Sequence, residues 1–167
     1  MFKVFQIQIS DQVIDFVNGP HGGHNETAKK FPEYHARLET SHAGSERFEG
    51  DMFAHYNNVC TVARDGGLVD SDGEAWLVRD LEDVFAVLNG RYYDEESNED
   101  LVHDSHVSGF TMKTGIKSNG EPYSVRNMHS LSVGDIVFDS VSDTYNMVDG
   151  HGFADVTAQI LSSQPGV

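Results

Sequence analysis

The spacing of apolar residues changes several times along the chain, and each change marks an element. Phe2-Lys3-Val4-Phe5-Gln6-Ile7-Gln8-Ile9 alternates and reads as a strand with Phe5, Ile7 and Ile9 on one face. Ser10 then stands as an N-cap with Asp11 in the first turn. Val13, Ile14, Phe16 and Val17 form the stripe of a short helix closed by Asn18-Gly19-Pro20. His21-Gly22-Gly23-His24 is a loop, and residues 26–31 read as a helix stopped near Pro32. Tyr34, Ala36 and Leu38 alternate with His35, Arg37 and Glu39; that period of two predicts a strand, with a helix continuing past Pro32 as the alternative. Residues 43–51 are polar and glycine-bearing and read as a loop. Residues 53–63, with Tyr56, Val59, Cys60 and Val62, predict another strand.

Asp65-Gly66-Gly67 and Asp72-Gly73 are turn signals. Asp80 is placed to cap a helix whose Leu81, Val84, Phe85 and Leu88 fall at i, i+3, i+4 and i+7, stopped by Asn89-Gly90. The next stretch is poorly patterned apart from a strand near residues 107–112 and a hairpin signal at Asn119-Gly120. Residues 135–138, 144–148 and 153–156 read as three short strands punctuated by Ser, Asp and Gly. The pattern predicts an α+β fold: a small, mostly antiparallel sheet with two or three short helices. A single domain is expected over residues 1–161, with a candidate insertion at 91–126 and a tail at 162–167.

With 167 residues, 38% of them apolar, the chain can bury a core without cross-links. Cys60 is the only cysteine, so no internal disulfide forms, which suits a reducing compartment. No leader segment and no run of apolar residues long enough to span a bilayer is visible, so a soluble, cytoplasmic chain is expected. The formal charge of −16 repels nucleic-acid phosphates and anionic lipid, so neither direct nucleic acid nor membrane is an expected partner. Residues 65–104 hold 13 acids and 2 bases, whereas residues 105–126 hold 1 acid and 3 bases. Asp94-Glu95-Glu96-Ser97-Asn98-Glu99-Asp100 is a near-continuous acidic run, and such runs repel themselves and read as solvated loops. Acidity that serves solubility alone is the plain alternative to an interaction surface.

Met128-His129-Ser130-Leu131-Ser132-Val133-Gly134-Asp135-Ile136-Val137, followed by Gly152-Phe153-Ala154-Asp155-Val156, resembles the YodL-like C-terminal segment of phage and mobile-element proteins. Upstream, Val4-Phe5-Gln6-Ile7, Phe31-Pro32-Glu33-Tyr34, His55-Tyr56 and Asp80-Leu81-Glu82-Asp83-Val84-Phe85 are similar in order to small phage proteins. The resemblance implies a phage or mobile-element origin and an accessory or anti-restriction role, with no settled enzymatic activity. The motif also has its own physical reading. Gly134 allows a tight entry into a strand, and Ser130, Ser132 and Asp135 can bond nearby backbone. Val133, Ile136 and Phe153 are expected in the core, with Gly152 beside Phe153.

No complete catalytic site is legible, and no cofactor is expected. His103 and His106, with Asp104 between them, have a spacing that suits a divalent metal, and a small metal-dependent hydrolase or nuclease is the enzymatic alternative. His21 and His24 share that spacing in a Gly-rich loop. Cys60 sits in an apolar run and reads as a buried, inert thiol. There is no Gly-x-Ser-x-Gly elbow, no phosphate-binding lysine loop and no dinucleotide fingerprint. The leading expectation is an acidic accessory protein that binds a basic, nucleic-acid-binding host protein. Asp70, Asp72, Glu74, Asp80, Glu82, Asp83, Asp94, Glu95, Glu96, Glu99, Asp100 and Asp104 would stand in for phosphates, with Trp76, Tyr92 and Tyr93 as interface anchors. A structural or virion-associated protein is the third reading.

Overall fold

The computed structural model describes residues 1–164. Strand β1 (Phe2–Gln6) fully buries Phe2, Val4 and Gln6. Helix α1 (Asp11–Val17) starts where expected, with the Ser10 hydroxyl accepting from Val13 N at 3.4 Å. Helix α2 (His24–Lys30) follows, and then α3 (Pro32–Ala43) occupies the stretch whose alternation predicted a strand. The physical reason is that Tyr34 and Leu38, and Ala36 and Thr40, are each four apart. A helix therefore buries Ala36 and Thr40 on one face. Pro32 sits at the first helical position, where its missing N–H costs nothing. The expected loop at 43–51 is largely 3-10 turns, Gly44–Arg47 and Gly50–His55, and the second turn displaces the start of the next strand to β2 (Asn57–Val62).

Strands β3 (Asp65–Val69) and β4 (Ala75–Leu77) form an antiparallel hairpin. Helix α4 (Leu81–Leu88) has the predicted cap, Asp83 N donating to Asp80 Oδ1 at 2.9 Å. Helix α5 (Leu101–His106) leads into β5 (Val107–Ser108), and β6 (Met112–Ile116) pairs with β7 (Pro122–Arg126) across the Asn119-Gly120 turn. The single strand expected at 107–112 is thus split between β5 and the start of β6. Strands β8 (Ile136–Asp139), β9 (Thr144–Asp149) and β10 (Gly152–Asp155) match the three C-terminal expectations. Helix α6 (Thr157–Ser163) takes in Ser162 and Ser163 of the expected tail, whose last three residues lie outside the described ones. The α+β class with a mostly antiparallel sheet holds, but six α-helices are present among the described residues where two or three were expected.

The chain divides into two compact units. The first comprises Met1–Val4 and Asn58–Leu131; the second comprises Phe5–Asn57 and the chain from Ser132 onward. The second unit contains the antiparallel meander β8–β9–β10, with Ile136 opposite Met147 and Phe153 opposite Val148. Its core joins Ile7, Ala36, Phe48, Met52, Tyr56, Ile136, Met147, Val156 and Ile160, with Phe5, Ile9, Phe53 and Tyr145 packed against it. Of the motif's three expected core residues, Ile136 is fully buried, while Val133 and Phe153 are half-buried.

A polar knot enters this core. Gly134 has φ +94, and a Cβ there would lie 2.9 Å from the Thr40 carbonyl carbon, so both conformation and space demand glycine. Its carbonyl accepts from the Tyr56 hydroxyl at 2.6 Å, and burial pushes that hydroxyl up to about 12. Buried Asp135 accepts through Oδ2 from Ser132 N at 2.9 Å, from the Ser132 hydroxyl at 3.4 Å and from Gln6 Nε2 at 3.1 Å. Ser130 is exposed, and its carbonyl faces His129 Nδ1 at 2.8 Å.

The first unit buries Val59, Cys60, Val62, Val84, Val87 and Leu88. Burial pushes the Cys60 thiol up to about 12. Both units are acidic: the first carries fourteen carboxylates against seven Lys and Arg, the second thirteen against four. Among the described residues no helix is long and apolar enough to cross a membrane.

Candidate functional site

All twelve acidic residues singled out by sequence lie in the first unit, as do Trp76, Tyr92 and Tyr93. The β3–β4 connection is a tight turn. Asp70 N donates to Glu74 O at 2.8 Å, while Asp70 Oδ1 accepts from Asp72 N at 2.9 Å and Glu74 N at 3.0 Å. At the start of α4, Asp80 caps the helix and Asp83 reaches back, its Oδ2 accepting from Arg79 N at 2.8 Å and Arg79 Nε at 3.1 Å. That exchange raises the already high Arg79 pKa, the Asp83 hydrogen bond being the largest cause.

The acidic run is a solvent-exposed loop closed by a bridge. Asp94 and Glu99 exchange backbone bonds of 2.8 and 3.3 Å, and Asp94 also accepts from Glu96 N and the Ser97 hydroxyl. The Tyr93 hydroxyl donates to Asn98 Oδ1, and Asp100 caps α5 through His103 N at 2.9 Å. The twelve carboxylates therefore divide in two. Asp70, Asp80, Asp83, Asp94, Asp100 and Asp104 hold turns, helix ends or Arg126 in place. Asp72, Glu74, Glu82, Glu95, Glu96 and Glu99 are exposed, and their carboxylates serve no cap or ion pair among the described residues.

An open concavity of about 360 Å³ lies on this unit, lined by Asp70, Ala75, Trp76, Leu77, Arg79, Asp83 and Tyr92. The Trp76 ring stands edge-on to Tyr92, with centroids 4.8 Å apart and planes at 80°. It also meets His106 at 5.4 Å and 71°. Tyr92, Tyr93 and Leu77 are exposed large side chains, so the carboxylates border apolar surface. The structure brings Asp70, Asp83, Trp76 and Tyr92 to one place. The other ten carboxylates, and Tyr93, do not line the concavity.

The residues of the alternative metal set have other partners in the structure. His103 and His106 are both buried, and their ring nitrogens are already engaged. Arg126 Nη1 lies 3.1 Å from both ring nitrogens of His103, and its Nη2 donates to Asp104 at 3.0 Å, so a guanidinium holds the place a cation would need. His106 Nε2 meets Trp76 O at 3.0 Å, while its Nδ1 meets Val102 O at 3.0 Å and the Ser105 hydroxyl at 2.7 Å. Burial, and next Arg126, hold the His103 imidazole below its ordinary value, which favours the neutral ring. In the second unit, His21 is exposed and His24 Nδ1 lies 2.5 Å from the Tyr34 hydroxyl. Among the described residues no group of three or more His, Cys, Asp or Glu side chains is placed to hold a metal ion.

Sequence reasoning missed Arg126, which ties the β6–β7 hairpin to α5 and stacks on Phe110 at 4.8 Å. It also missed Arg79, although the Arg79/Asp83 spacing of four was a usable signal. Comparison with family models, with curated proteins and with solved structures gives no match.

Proposed function

We propose that this chain is an acidic accessory protein, of the kind phages and mobile elements encode, that binds a basic surface of a host protein in the cytoplasm and modulates or inhibits it. The first unit supplies the contact. The observation that supports the reading is the division of its carboxylates: one set fixes the turns and helix ends, two of them (Asp70 and Asp83) on the aromatic concavity, and the other set is exposed on the same unit, away from the lining. The turns and helix ends that carry these charges are already ordered, so the backbone loses little entropy on binding. The exposed set provides electrostatic attraction to lysine- and arginine-rich clefts, and the aromatics provide anchoring area. Partners whose basic grooves normally hold nucleic-acid phosphates fit this chemistry best, and there the carboxylates take the phosphate positions.

The test is a pull-down from host lysate with the whole chain, followed by elution with duplex DNA. Basic nucleic-acid-binding proteins released by DNA, and not recovered by a variant carrying Asp72→Asn, Glu74→Gln, Glu82→Gln, Glu95→Gln, Glu96→Gln and Glu99→Gln, are the expected result. Equal recovery by the variant, or partners that DNA cannot displace, overturns the mimicry.

A further inference from the structure

We propose that the concavity over Trp76 receives a single cationic side chain of the partner, an arginine in preference to a lysine. The inference rests on the acidic-surface reading and names the group that surface takes.

Three features point to a cation. First, Trp76 and Tyr92 stand nearly perpendicular, and aromatic faces carry negative potential that attracts a guanidinium or ammonium within about 6 Å of the centroid. Second, the two carboxylates on the lining are each anchored through one oxygen. Asp70 Oδ1 takes both turn amides, and Asp83 Oδ2 takes both Arg79 nitrogens. The opposite oxygen of each carries no bond among the described residues, so the acceptors are positioned before any ligand arrives. Third, Ala75 and Leu77 add apolar lining against which the stem of a long side chain can lie. A carboxylate or phosphate would be repelled, and a neutral side chain would leave the two free acceptors unused.

Arg79 identifies the better cation. Its Nε already bonds Asp83 Oδ2 at 3.1 Å on the lining of the same concavity, so a guanidinium already lies against that carboxylate. Planar, forked guanidinium also stacks on aromatic faces where ammonium does not. Arg79 is therefore a resident competitor: an incoming arginine meets a site partly neutralised by the chain itself, and removing Arg79 strengthens binding.

Trp76 is the only tryptophan, so its emission reports this one place. The experiment titrates the full chain with an unlabelled heptaarginine peptide at low salt and follows heat and Trp76 emission together. The two signals are expected to saturate with the same dissociation constant, heptalysine binding more weakly than heptaarginine. Tyr92→Leu and Asp70→Asn are each expected to weaken binding by roughly threefold to tenfold, with far-UV circular dichroism confirming the fold. Arg79→Ala is expected to tighten binding more than Arg91→Ala, which removes the same charge outside the concavity. Calorimetric binding without a Trp76 response, or equal gains from Arg79→Ala and Arg91→Ala, overturns the pocket and leaves the acidic-surface reading standing. Absence of binding by either signal overturns both.

Discussion

Replacing Asp135 by alanine tests whether the Ser-Val-Gly-Asp turn is a structural latch. The carboxylate is 5% exposed and accepts from Gln6 Nε2, the Ser132 amide and the Ser132 hydroxyl, at 3.1, 2.9 and 3.4 Å. Hydrogen bonds to a charged group contribute about 1.5–3 kcal/mol, and leaving a buried donor unmatched costs about 1–3 kcal/mol. Gln6 is fully buried and cannot turn to water, whereas Ser132 is exposed and its groups can rehydrate. The loss for Asp135→Ala is therefore about 3–5 kcal/mol, a large share of the roughly 5–15 kcal/mol that holds a domain folded. Gln6→Leu, alone and combined with Asp135→Ala, isolates the Gln6–Asp135 bond as a coupling energy, expected at about 1–2 kcal/mol. Urea unfolding of the two single variants and the double variant, followed by circular dichroism, gives the coupling directly; at a slope of about 1–3 kcal/mol/M the midpoints separate clearly. If Asp135→Ala shifts the midpoint no more than a surface substitution, or the two substitutions show no coupling, the latch is refuted.

His103 makes stability depend on pH. Its folded imidazole is held below the ordinary value near 6.5 by burial and Arg126, so the unfolded chain takes up a proton that the folded chain resists. Its contribution is complete above about 6.5 and is lost as pH falls through the lowered folded value; His103→Gln should flatten that part of the stability profile. Cys60, with its thiol near 12, has roughly one group in ten thousand ionised at pH 8, so native protein should resist thiol reagents and react on unfolding. Rapid alkylation without unfolding would contradict the burial. Asp80→Ala removes the α4 cap and should cost about 1 kcal/mol by urea unfolding, while Asp80→Asn, which keeps an acceptor, should cost little.

Elements with two agreeing signals were legible from the residues. Helix α4 has both a 3.6-residue stripe and a cap at each end, and β8–β10 have alternation bounded by turn residues. Where one signal stood alone it misled: Tyr34, Ala36 and Leu38 satisfy a period of two, but Ala36 and Thr40 also satisfy a helical repeat, and tertiary burial decided for the helix. Buried Gln6 was invisible because its partner lies 129 residues away at Asp135. At the candidate site, the residue types were readable but their division of labour was not. Which carboxylates cap and which stay free depends on turn geometry around Gly73 and the bridge between Asp94 and Glu99. The meeting of Trp76 with Tyr92 depends on the path of α4 between them, which no local pattern encodes.

The most direct test of the central claim is the dissociation constant of the complex with the captured basic partner, measured from low to high salt. Affinity should fall linearly on a log–log plot as ions compete for the exposed carboxylates, with a shallower slope for the variant carrying all six neutralising substitutions. A dissociation constant that stays flat across that range, or a variant that binds as tightly as the unmodified chain at low salt, would contradict it.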